Sequence, residues 1–204
     1  MIRMPSTQHA HKRFPERLAF LLNNPIRRAT SSPDEIISKL NVSHDNVVMD
    51  FGCGPGFFTI ALAKIAAKTI AVDVSAGMLE KTANYARKNR VHVELLKSDG
   101  TIIDLADGSV DLIFLSHVFH EVEDKPKVLS EFSRILKPPG RLAIVEKTQG
   151  NGKFSGSFGP PIVKAGDVID ETTRAGFRPI QSIPHHKDTI IIVQKLRAHD
   201  DTNQ

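Results

Sequence analysis

One short stretch holds residue types at a spacing that suits nucleotide chemistry. An apolar run, Val47-Val48-Met49, ends at Asp50, and Gly52, Gly54 and Gly56 follow at alternate positions before a helical pattern begins. Glycine is needed where backbone turns tightly and approaches a ligand with no Cβ between them. A strand, such a turn and a helix N-terminus together make the nucleotide-cradling corner of a doubly wound α/β sheet. A second apolar run, Thr69-Ile70-Ala71-Val72, ends at Asp73, which lies 19 residues beyond Gly54, and a carboxylate there suits a ribose diol. The glycine spacing separates two kinds of nucleotide. A dinucleotide fingerprint, G-x-G-x-x-G, uses its third glycine for close helix–strand packing. Here that position is Phe57, and the extra glycine falls one residue early, at Gly56.

A second group with chemical potential is Ser116-His117-Val118-Phe119-His120-Glu121, directly after the apolar run 110–115. Sites in open α/β sheets gather at the carboxyl ends of the strands. His117 and His120 are therefore the foremost candidates for a base or an orienting group, with Glu121 next; each also reads as an ordinary packing or hydrogen-bonding residue.

The elements that must position these groups follow from periodicity. Ser32-Pro33-Asp34-Glu35 has the makings of a helix start, with a serine cap, an early proline and acids facing the helix dipole. Strands are expected over 47–51, 69–74, 91–96, 110–115 and 142–145. Helices are expected over 33–40, 57–67, 76–88, 126–136 and 167–175, with Phe58, Leu62 and Ile65 on one buried stripe of the second. Pro138-Pro139-Gly140 should stop the fourth of these, and Gly176 the last. Strands over 177–183 and 189–194 form a hairpin whose turn carries His185-His186, facing solvent. Alternating strands and helices closed by a hairpin imply a mostly parallel sheet with one reversed strand.

D-x-G-x-G-x-G resembles the first motif of the class I S-adenosylmethionine-dependent methyltransferases. The likeness continues through Asp73, Ser75 and Met78-Leu79, then Ser98-Asp99, then Asp107-Gly108-Ser109-Val110-Asp111-Leu112-Ile113, and closes with Leu136-Lys137-Pro138-Pro139-Gly140-Arg141-Leu142. These five ordered landmarks cover roughly residues 34 to 147 and are similar to the type 11, or ubiquinone/menaquinone-biosynthesis-like, group. The resemblance implies a Rossmann-like, doubly wound, mostly parallel seven-stranded sheet whose last strand is antiparallel. It implies S-adenosylmethionine as cofactor, leaving as S-adenosylhomocysteine. Gly52, Cys53, Gly54 and Gly56 would form the loop beneath the methionine part, with Asp50 near its amino group. Asp73 would take the ribose hydroxyls, Val74 and Met78 the adenine faces, Asp99 the adenine amino group, and Gly100 would leave room for the ring. Ser116 completes the expected cofactor set.

Transfer from a sulfonium is an in-line displacement with an activated leaving group, so positioning can supply much of the rate, up to about 7–11 kcal/mol. A base is required only where the acceptor arrives protonated. Several acceptors are disfavoured. Exocyclic-amine methylation of nucleic acid usually comes with an Asn/Asp-Pro-Pro-aromatic run, and this chain has Leu115-Ser116-His117-Val118 in that place. Its one cysteine lies inside the glycine loop, Trp is absent, and Tyr85 is the sole tyrosine, so thiol chemistry and base stacking are poorly served. A small molecule remains the expected acceptor, at O, N, S or activated carbon, with nucleic acid an unfavoured partner.

At 204 residues the chain suits one α/β domain without disulfide staples. A lone thiol makes no multi-cysteine metal site, no further metal site is expected, and His185-His186 lack ligand partners in sequence. No bilayer-length apolar run or hydrophobic signal core is present, which reads as a cytoplasmic protein. The net charge of +4 is concentrated in residues 1–30, which hold six Lys/Arg against Glu16. The expected organisation is a basic arm over 1–30, a cofactor domain over 31–197 and a polar tail over 198–204. The arm, together with a glycine-rich loop over 149–161, is expected to close over the acceptor, with Phe154 and Phe158 as lining; burial of those phenylalanines in a homo-oligomer interface is the rival reading. Two rivals to a small-molecule enzyme stay open: a nucleic-acid or protein methyltransferase docking through the arm, and a non-catalytic binder of the cofactor. Nicotinamide binding without S-adenosyl binding would instead mark an oxidoreductase.

Overall fold

The computed structural model describes residues 32–149 and 161–196. The basic arm, the polar tail and the expected cover with Phe154 and Phe158 lie outside the described residues. The first helix, α1 (Pro33–Ser38), starts at Ser32 as foreseen, although the serine side chain makes no capping bond. β1 (Val47–Phe51) leads through the glycine turn into α2 (Phe57–Ala63), and β2 (Lys68–Asp73) leads into α3 (Ala76–Asn89). β3 (Glu94–Lys97) and β4 (Val110–Ser116) follow, then a single 3-10 turn, Phe119–Glu121, and α4 (Lys125–Ile135). β5 (Leu136–Lys147), α5 (Ala165–Arg174), β6 (Phe177–His185) and β7 (Asp188–Lys195) complete the regular structure of the described residues.

The seven strands form one sheet in the order β3-β2-β1-β4-β5-β7-β6. β1 runs parallel to β2 on one side and to β4 on the other. The winding reverses there, and ligands of such sheets sit outside that switch point. β7 runs antiparallel to both β5 and β6, wedged between them.

Both faces of the sheet are covered, which is why β1 and β4 read as near-continuous apolar runs. Met49 and Ile113 point to one face, against Phe132 and Ile135 of α4. Val48, Leu112 and Phe114 point to the other, against Ile36 and Ile37 of α1 and Phe58 and Leu62 of α2. Arg134 fastens the loop between β3 and β4: its guanidinium donates to the carbonyls of Ile103 and Leu105 at 2.9 and 2.8 Å, while Glu131 accepts the Ile103 N–H at 2.7 Å.

Several boundaries differ from the sequence reading. α2 ends at Ala63 rather than near 67, so Ile65 falls outside the buried stripe and is 42% exposed. β3 begins at Glu94, because α3 continues to Asn89 and stops at a left-handed Arg90. β5 begins at Leu136, directly after α4, because Leu136 pairs with Val110 ahead of an irregularity in the register. β6 runs through Pro184 to His185, leaving a hairpin turn of only His186 and Lys187.

Gly100 shows how tightly the strand ends are fitted. Its φ is +90°, and a Cβ there would stand 2.6 Å from the Phe51 ring and 3.1 Å from Val128. Gly100→Ala should therefore lower unfolding free energy by about 2–4 kcal/mol, combining left-handed strain with overpacking, as read from urea melts. A loss below about 0.5 kcal/mol would mean that the Phe51 ring yields freely.

Candidate active site

The turn after β1 is held by its neighbour strand. The N–H groups of Gly52 and Cys53 both donate to the Val72 carbonyl, at 2.8 and 3.0 Å. Gly52, Gly54 and Gly56 all adopt positive φ, at 68°, 53° and 90°. A Cβ on Gly52 would lie 2.5 Å from Val118, and one on Gly56 would lie 3.1 Å from Thr82. These glycines thus admit the protein's own side chains to the turn.

Asp73 joins two loops. Its Oδ2 accepts the Gly54 N–H at 2.9 Å and its Oδ1 accepts the Ser75 N–H at 2.8 Å. Each carboxylate oxygen can accept a second bond, so the group is fixed in place and still competent to receive a diol. Ser75 takes the capping duty on α3, accepting the Met78 N–H at 3.1 Å. Thr82 donates to the Gly54 carbonyl at 2.7 Å and lies 3.8 Å from the Cys53 sulfur. Burial, aided by the charges of Asp50 and Asp73, pushes the Cys53 thiol up, out of nucleophilic range.

Asp50 is 3% exposed and accepts a 2.5 Å hydrogen bond from the Thr59 hydroxyl. Burial raises its pKa to about 7; the Thr59 bond opposes this and the Asp73 charge adds to it. Val74 leaves apolar surface exposed beside Asp73, whereas Met78 is buried in the first turn of α3. Asp99 is exposed, and its Oδ1 accepts the Thr101 N–H and hydroxyl at 3.0 and 2.8 Å, which holds its carboxyl below the usual range. The space beside Gly100, expected for a ligand ring, belongs to Phe51.

The second group of expected residues gathers beyond the end of β4. The Ser116 hydroxyl and His117 Nδ1 are buried without a hydrogen-bond partner. His117 has φ 57°, its N–H donates to the Val145 carbonyl at 2.8 Å, and its Nε2 is 3.4 Å from Asp188 Oδ2. His120 packs against β5: its Nδ1 is 2.8 Å from Glu146 Oε2, and its backbone N–H reaches Oε1 of the same carboxylate at 3.2 Å. Glu146 is fully buried. Nδ1 donating to the carboxylate leaves the Nε2 lone pair outward. Glu121, 43% exposed, sits 3.8 Å from that Nε2.

Glu146 and Asp188 escaped the sequence reading. Glu146 had one signal, an acid closing the apolar run Leu142-Ala143-Ile144-Val145. Asp188 had none until the hairpin set it opposite Lys147. His185, expected to face solvent, is 7% exposed, because β6 extends through it; Lys39, the residue that caps the end of α1, lies 3.2 Å from its Nδ1.

The switch-point corner, the acids closing β1 and β2 and the reversed β7 define the class I S-adenosylmethionine-dependent methyltransferase fold. Residues 49–144 match the family model described as a methyltransferase domain, of type 11. Over those residues the chain is similar to that family. It is 35% identical over 105 residues to a malonyl-acyl-carrier-protein O-methyltransferase of Yersinia pestis, covering 52% of this chain and 38% of that one. It is 29% identical over 152 residues to a demethylmenaquinone methyltransferase of Lactobacillus johnsonii, covering 71% and 59% respectively. These alignments span between about two fifths and three fifths of the curated relatives. A solved S-adenosylmethionine-dependent methyltransferase of Aquifex aeolicus superposes with TM-score 0.81 at 26% identity, over 90% of this chain and all of that one. The cofactor is S-adenosylmethionine. The fixed Asp73 carboxylate, the exposed Val74 and the unpartnered Ser116 hydroxyl fit it. Among the described residues no helix is long and apolar enough to cross a membrane.

A carboxyl whose pKa is higher folded than unfolded holds its proton more tightly in the native state. Asp50 therefore contributes stability that is complete below the ordinary value of 3.8 and is lost as pH rises through about 7. Thermal melts of cofactor-free protein from pH 4 to 8 should show Asp50→Asn gaining on wild type by a few kcal/mol toward the alkaline end, at about 1.4 kcal/mol per pH unit. Parallel pH profiles for the two proteins would contradict the assignment.

Proposed function

We propose that the protein methylates a small-molecule acceptor that arrives protonated, with His120 as the general base. When bound, S-adenosylmethionine supplies an electrophilic methyl group on a sulfonium. Asp73 binds the ribose, Asp50 lies near the amino group, Asp99 meets the adenine amino group, Val74 and Met78 flank the ring, and residues 52–56 underlie the methionine part. The observation that carries the acceptor side is the His120–Glu146 pair, 2.8 Å apart at the carboxyl edge. A buried carboxylate on one ring nitrogen fixes the tautomer, presents the other nitrogen as acceptor and stabilises the imidazolium after it takes a proton. His117, held in a costly left-handed conformation by Val145 and Asp188, orients the acceptor through its ring.

His120 suits an acceptor hydroxyl, protonated amine or acidic carbon, and is superfluous for a thiolate or thioether. By their names, the curated relatives above methylate malonyl-acyl-carrier-protein at oxygen and demethylmenaquinone. Nucleic-acid docking through the basic arm has no support of this kind.

Asp73→Ala should weaken S-adenosylhomocysteine binding tenfold or more in calorimetry, a loss of at least 1.4 kcal/mol. NAD and NADP should not bind. Turnover against a metabolite panel, followed by S-adenosylhomocysteine release, identifies the acceptor. On that acceptor His120→Asn should lower kcat by roughly 100-fold or more with cofactor affinity unchanged. Glu146→Gln should shift the pH profile of the remaining activity. Full activity in His120→Asn would remove the base from the mechanism.

A further inference from the structure

A second cluster of ionisable side chains lies where the β6–β7 hairpin meets α1. Glu35 from α1 and His185 and His186 from the hairpin offer one carboxylate oxygen and two imidazole nitrogens, all within 4.8 Å of one another. The His185 ring is 6% exposed, and its Nε2 has no hydrogen-bond partner. Glu35 Oε2 stands 3.9 Å from that nitrogen, too far for a hydrogen bond. One ion would span this gap, since two ligand bonds of about 2.0–2.2 Å reach across it. The neighbouring rings of His185 and His186 are 4.5 Å apart between centroids, so a modest rotation of the exposed His186 brings its nitrogen to the same point.

Lys39 explains the spacing. Its ammonium lies 3.2 Å from His185 Nδ1 and can only donate, so Nδ1 accepts and the ring proton resides on Nε2. That N–H then faces a carboxylate out of reach, and a buried donor left unmade is unfavourable.

We propose that Glu35, His185 and His186 form a divalent transition-metal site of the zinc type, with Lys39 as its competitor. Two imidazoles and one carboxylate are ligands that zinc favours, with a position left for water. On binding, the His185 proton moves from Nε2 to Nδ1, Nε2 takes the metal, and Lys39 swings out on its flexible stem. No net proton is released from that ring. The ion would clamp α1 to the hairpin turn that ends at Asp188, the partner of His117. Occupancy thereby steadies the acceptor side from outside it.

The full chain, stripped with a chelator, is titrated with Zn²⁺ by calorimetry and with Co²⁺ by visible absorption. Wild type should bind one tight equivalent and give the intense d–d band of a low-coordinate Co²⁺ site. Glu35→Gln and His186→Asn, both at exposed positions, should weaken binding tenfold or more and abolish the band, whereas Lys39→Met should tighten it severalfold. No tight equivalent in wild type, or unchanged affinity in both ligand variants, would overturn the proposal. Neither cofactor nor acceptor enters this test, so its outcome is independent of the proposed methyl transfer.

Discussion

The carboxylate of Asp73 spans the ends of two different loops, one oxygen on Gly54 and the other on Ser75. Charge-assisted bonds of this kind are about twice as strong as neutral ones, and here they set the relative position of the glycine turn and the start of α3. The turn itself can come so close only because its glycines yield space to Val118 and Thr82. Through Val118 the turn is keyed to the segment after β4, and through Thr82 to α3. The glycine turn, the segment after β4 and α3 therefore share a boundary wall, and none can shift without disturbing the others.

Three adjacent strands each carry a polar side chain near their carboxyl ends: Asp50 on β1, Ser116 on β4 and Glu146 on β5. Their treatment differs. Asp50 receives one hydroxyl and is driven toward neutrality by burial. Glu146 receives a ring nitrogen and a backbone N–H from the same residue, so its negative charge is matched by an imidazole that can become positive. Ser116, between them, has no partner.

The strands and the cofactor corner were legible in the sequence because both rest on local rules. β1 needs an apolar run, the turn needs glycine, and Ser75 is the correct type one residue before a helix. What escaped depends on tertiary contact. Glu146 gains its meaning from His120, 26 residues earlier, and Asp188 gains its meaning only once β7 lies beside β5. His185 looked like a turn residue because it follows Pro184; the edge position of β6 tolerates the proline, and the strand carries the histidine inside. Gly52 and Gly100 were foreseen as glycines for a ligand's sake, yet the atoms that forbid a Cβ there are Val118 and Phe51. The residue type was readable, and its cause was not.

The insertion of β7 between β5 and β6 has a consequence for how the chain is made. Among the described residues β6 has no strand partner other than β7, and β5 presents an open edge on that side until β7 arrives. During vectorial synthesis a nascent chain that has emerged only through β6 therefore exposes two unsatisfied edges, each able to pair with a foreign strand. The long apolar core of β7, Ile190-Ile191-Ile192-Val193, is the piece that closes both at once. Asp188 stands at the head of the same strand, so closing the two edges also sets its carboxylate beside His117.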